Sequence, residues 1–166
     1  MNFDLARSLR RIKPQRSINP LRRRGPAELP FVRPPVSAGA GLLLDTCVYI
    51  DVLQGRTPPS VDELLQIRAI NHSTVCLSEL TYLFGRLVPT HPHTREVLRQ
   101  IQQTVEDIPH HRLSRPSANA VGEAGMLAGI VERATQGDPA HRAHLLNDAC
   151  LYLQAAENGW VVLTRN

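Results

Sequence analysis

At 166 residues and a net charge of +4, the chain has the length of one ordinary domain, enough to bury a core without covalent staples. Its three cysteines, none in a CxxC pair, exclude a disulfide framework and a structural zinc ribbon. No apolar stretch reaches the ~20 residues of a membrane-spanning helix and no secretory leader is visible, so a soluble cytoplasmic protein is expected.

The charge is spread unevenly. Residues 1–40 hold nine Arg or Lys, among them Arg22, Arg23 and Arg24, against only Asp4 and Glu28. That segment carries +7, which leaves −3 on residues 41–166. A basic arm on a mildly acidic domain points to a polyanionic partner. Six of the 13 prolines also fall in the arm. Beyond a short basic helix, FDLARSLRRI from Phe3, it is therefore expected to be largely extended or disordered. A solvated tail and an arm that contacts RNA or a protein partner both fit this composition.

The domain proper begins at residue 41. Leu42–Leu44 is a short apolar run suited to a strand buried on both faces, and Val48 to Leu53 then takes up helical spacing as far as Gly55. Pro58–Pro59 and Ser60 open a second helix, with Ser60 as N-cap and Glu63 completing a capping box. Thr74–Leu77 reads as a second strand, after which Ser78 caps the helix ELTYLFGRLV. Residues 94–105 place Val97, Leu98, Ile101 and Val105 on one helical face. His111–Leu113 is a short third strand. Ala118–Ala134 is a helix whose Gly122, Gly125 and Gly129 permit close approach to a neighbour. Leu145–Glu157 is a last helix, stopped by Asn158–Gly159, and Trp160–Leu163 a last strand. Short apolar strands alternating with helices mean an α/β fold around a mostly parallel sheet of about four strands.

Ligands of such sheets sit beyond the carboxyl ends of the strands, where strand order reverses. Asp45 stands at the end of the first strand, directly against apolar residues, where a charge is costly unless something compensates it. Glu79 begins the helix after the second strand, and Asp148 interrupts the apolar helix HLLNDACLYLQ. Taken singly, Asp45 could cap its helix, Glu79 could favour a helix N-terminus, and Asp148 could lie on a solvated face. Taken together, three acids near apolar surface suit a divalent cation, which removes their mutual repulsion.

These segments resemble a known family. LLLDTCVYID is similar to the opening of a PIN domain, whose usual form is an apolar strand, Asp-Thr-Asn and a short helix. LSEL resembles the second PIN signature, and LLNDACLYLQAAENGWVVLTRN the third. By pattern the chain resembles the VapC toxins of bacterial VapBC toxin–antitoxin modules, and the resemblance covers residues 41–166. The resemblance implies a PIN-like three-layer fold and an endoribonuclease dependent on Mg2+ or Mn2+. Asp45, Glu79 and Asp148 would be its metal-binding and catalytic acids. Thr46, Thr164 and Asn166 would stand beside them, and Arg165 would contact RNA phosphate. On charge alone, Arg86 and Arg22, Arg23 and Arg24 join it. The resemblance further implies a tRNA-like substrate, a VapB-type antitoxin and a homodimer packed through early helices, with Val52, Leu53, Leu64 and Leu65 available to it.

Two departures from the pattern stand out. PIN nucleases often carry a fourth acid at or just after Thr-Arg-Asn, where this chain has Asn166 and then ends, so the usual fifth strand is also expected to be missing. Cys47 replaces the common Asn after Asp-Thr. A non-catalytic PIN remnant that binds RNA or antitoxin without cleavage is the alternative these departures favour. His91, His93, His110, His111, His141 and His144 lack matched Cys partners and read as surface or structural residues. Cys47, Cys76 and Cys150 read as inert buried thiols. There is no P-loop, GxGxxG or GxSxG.

Overall fold

The structure, a computed structural model, describes residues 3–20, 39–135 and 142–165. Among these the chain divides into two compact units. One contains residues 39–115 and 158–165, the other residues 3–20, 116–135 and 142–157.

The first unit is built on the expected sheet. β1 (Leu42–Leu44), β2 (Ile70–Ser73), β3 (Leu113–Ser114) and β4 (Val161–Leu163) form four parallel strands in the order β3-β2-β1-β4. The fold class is α/β, as the alternation of elements indicated. β1 reads Leu-Leu-Leu because it is central: Leu42, Leu43 and Leu44 are 3%, 0% and 6% exposed, and a strand covered on both faces has no polar side to show. Leu43 pairs with Asn71 on one side and Val162 on the other.

Around the sheet run α2 (Thr46–Leu53), α3 (Pro59–Ile67), α4 (Thr74–Arg86) and α5 (Thr94–Glu106). α4 packs on β2 and α5. Val48, Tyr49, Leu64, Cys76, Leu80 and Ile101 supply the buried side chains. Gly55, with φ +61°, ends α2 in a conformation glycine adopts freely.

Four sequence readings are corrected here. The second strand is Ile70–Ser73, and the apolar run Thr74–Leu77 is the first turn of α4. Ser73, not Ser78, is the cap, its Oγ accepting from the Val75 amide at 3.1 Å. Ser60 does not cap α3. That helix starts at Pro59, whose fixed φ suits the first helical position, and the apolar ring of Pro58 at the N-cap has no acceptor to offer. The third strand is Leu113–Ser114, because His110–Arg112 closes into a 3-10 turn.

Beside β1 and β2 lies a groove of about 520 Å³ whose lining includes Tyr49, Val52, Leu53, Leu65, Ile70 and His72. Val52 is 48% exposed there, while Leu64 is in the core. Tyr49 Oη and His72 Nδ1 share a hydrogen bond. Burial, reinforced by the Arg112 charge, holds the His72 pKa below its ordinary 6.5. The unfolded chain thus takes up the proton first as pH falls, so the contribution of His72 to stability is complete above 6.5. It drains away between that pH and the lower pKa of the folded form. Denaturant midpoints on either side of 6.5 should fall with pH more steeply in the wild type than in His72→Gln.

The second unit contains α1 (Leu5–Ile12), α6 (Ala118–Thr135) and α7 (Arg142–Asn158) up to Glu157. Ala120, Ala124 and Ala128 form a small-residue stripe on α6 that packs with Ala149 and Leu153 of α7. Of the three glycines, only Gly122 stands at a close approach, and its neighbour is Phe3: a Cβ there would lie 2.3 Å from the ring. The helix read at the start of the basic segment is present, and α6 receives it. Asp4 caps it by accepting from the Arg7 amide. Ser8 donates 3.0 Å to the buried Glu123, and Arg11 forms an ion pair with the same carboxylate at 2.9 Å. Arg133 donates to the carbonyls of Pro14 and Arg16.

Candidate metal centre

The order β3-β2-β1-β4 means that the chain steps outward from β1 through β2 to β3, then returns to the other side of β1 for β4. The switch point therefore lies between β1 and β4, and the crevice at their carboxyl ends is where an open parallel sheet presents ligands. Asp45 follows β1 and Thr164 follows β4, so both residues stand at this mouth.

Asp45 occupies the N-cap position of α2, yet its side chain caps nothing. It is 6% exposed, and its Oδ2 accepts from Thr164 Oγ1 at 2.7 Å and from Cys47 Sγ at 3.0 Å. The capping explanation for this acid is thereby removed. Its backbone continues the sheet, the Asp45 amide donating to Leu163 O at 3.0 Å.

Glu79 comes from α4 and is half-buried. It sits in the second turn of that helix, not at the N-terminus, so the dipole explanation does not hold either. The Thr46 hydroxyl donates to Glu79 Oε2. Thr46 and Thr164 thus each hold one carboxylate, as expected of residues beside a ligand set.

The third member was not anticipated. Cys76, 1% exposed, precedes Glu79 by three residues and shares its face of α4. One donor atom from each of Asp45, Cys76 and Glu79 lies within 4.8 Å of the other two. The Cys76 thiol donates to Leu44 O at 3.2 Å. Burial foremost, with the two carboxylates adding to it, pushes its pKa up to about 12. Cys47 is raised as well, by burial first and then by its bond to Asp45. Neither thiol is set up as a nucleophile.

The remaining expected residues are distributed as follows. Asp148 lies on α7 in the other compact unit, with its side chain exposed. Arg86 is exposed in the last turn of α4. Arg165 is exposed, and its Nη1 donates 3.1 Å to Asp51, an acid that sequence reading passed over. Arg22, Arg23, Arg24 and Asn166 lie outside the described residues.

The donor set suits a divalent cation. Two carboxylates match the oxygen preference of Mg2+ and Mn2+, while the sulfur of Cys76 is a softer donor that these ions do not favour. Among the described residues no helix is long and apolar enough to cross a membrane. No family model matches the chain, and no curated protein matches it in sequence.

Proposed function

We propose that the protein is a metal-dependent endoribonuclease of the PIN type, the toxin component of a VapBC-type pair. The observation that carries this reading is the buried Asp45 at the switch point of a parallel sheet, with donor atoms of Glu79 and Cys76 within 4.8 Å. The three sequence motifs, met in the family's order, supply the reaction class. Asp148 enters on the resemblance of its motif alone.

Asp45 and Glu79 would hold Mg2+ or Mn2+, and Thr164 and Thr46 fix the orientation of their carboxylates. When bound, the ion supplies Lewis acidity, polarising a phosphoryl oxygen and lowering the pKa of its water. The low exposure of Asp45 keeps bulk water from competing for its oxygens. Arg165 and Arg86 carry the positive charge proposed to meet RNA phosphate, and the basic segment before residue 40 adds to it.

A tRNA-like substrate, a VapB-type antitoxin, a homodimer and a cytoplasmic setting complete the proposal. The apolar groove bordered by Tyr49, Val52, Leu53 and Leu65 gives a second protein surface to bury. Incubating total RNA with Mn2+ and either wild type or Asp45→Asn tests the reading. Metal-dependent cutting lost in the variant supports it. Equal inertness favours the non-catalytic remnant, whose sequence support is the neutral Asn166.

A further inference from the structure

Asp51 is an acid with no part in the ligand set, yet it is only 8% exposed. It follows Cys47 by four residues on α2, so the two share one helical face. That face grips Arg165 at two points. The Arg165 amide donates to Cys47 Sγ at 3.3 Å, and its guanidinium Nη1 donates to Asp51 Oδ1 at 3.1 Å. The same Oδ1 accepts from Arg56 Nη2 at 3.0 Å, which anchors the carboxylate from the far end of α2. The neighbour of Arg165 in the chain, Thr164, is the residue whose hydroxyl holds Asp45.

We infer that Asp51 is a positioning residue: it clamps Thr164 and Arg165 against α2 and so fixes the Asp45 carboxylate in its geometry. The inference rests on the reading of Asp45 as a metal ligand. It gives Arg165 a strut role as well, its guanidinium held by Asp51 where it would meet RNA phosphate. A plain surface ion pair would contribute little, but the Asp51 side chain is 12% exposed and shared between two guanidinium groups. Loss of its charge replaces the carboxylate that both arginines share with a neutral, weaker acceptor.

The test uses the full chain as wild type, Asp51→Asn, Arg165→Met and the double variant. Calorimetric titration with Mn2+ measures metal affinity, and amide hydrogen exchange at Arg165 reads the clamp without reference to metal. Each single variant should weaken Mn2+ binding about tenfold, the scale on which partners of metal ligands act. The double variant should bind no more weakly than either single one, since both cut the same connection. Exchange at the Arg165 amide should accelerate in Asp51→Asn, and Asp51→Glu should recover much of both losses. Unchanged exchange in Asp51→Asn overturns the inference, as do losses that multiply in the double variant. A wild type that binds no Mn2+ would sink the metal reading instead, and the exchange arm would then decide the clamp by itself.

Discussion

Asp45→Asn is expected to lower Mn2+-dependent RNA cleavage by about a thousandfold. A metal ion at a phosphoryl centre supplies several kcal/mol of transition-state stabilisation, and each 1.36 kcal/mol is tenfold in rate. Asparagine keeps the shape of the residue and can still accept from Thr164 and Cys47, the two donors on Oδ2. What it removes is the negative charge. The effect on stability should run the other way. Without metal, Asp45 and Glu79 hold like charges within 4.8 Å of one another beside a buried thiol. Neutralising one of them should leave the metal-free protein as stable as before or more so, and should abolish the rise in Tm on adding Mn2+. A variant that cuts RNA like wild type would remove Asp45 from the chemistry, and one that unfolds in EDTA would make it a structural acid.

Leu43→Ala is the second large effect. Leu43 is 0% exposed at the centre of a three-residue strand with a neighbour strand on each side. Truncation removes the side chain and leaves a cavity that paired strands cannot readily collapse, at a cost of about 2–5 kcal/mol. Set against a typical total of about 5–15 kcal/mol, that brings the domain close to unfolding. Leu43→Met conserves volume and should cost less than about 1.5 kcal/mol. Urea denaturation of the two variants checks this. A loss below about 1 kcal/mol in Leu43→Ala, within the range of ordinary substitutions, would mean that β1 is not the buried axis of the sheet.

The sequence was legible where a strand was a run of apolar residues and misleading where it was not. β1 and β4 showed themselves as apolar runs, and the helix over Ala118–Thr135 by its length. β2 did not, because INHS has no apolar run. Asn71 earns its buried place through its Nδ2, which donates to Leu42 O at 3.3 Å, and His72 faces the groove. Thr74–Leu77 reads as a strand in its place, although Cys76 and Leu80, four residues apart, fit one continuous helix capped by Ser73.

That displacement had a consequence at the site. With Glu79 at a presumed helix start, Cys76 fell in a strand and read as inert, whereas i,i+3 spacing on α4 puts the two on one face. Asp45 was legible because it broke an apolar run. Asp51 was not, since its distant partner Arg165 is brought to it by the return of β4 beside β1, a tertiary fact that local spacing cannot carry.

The most direct test is anomalous scattering from crystals soaked in Mn2+. The proposed chemistry predicts a peak coordinated by the carboxylates of Asp45 and Glu79, beside Cys76, and its loss in Asp45→Asn. Crystals that carry Mn2+ elsewhere while those two carboxylates remain bare would contradict it.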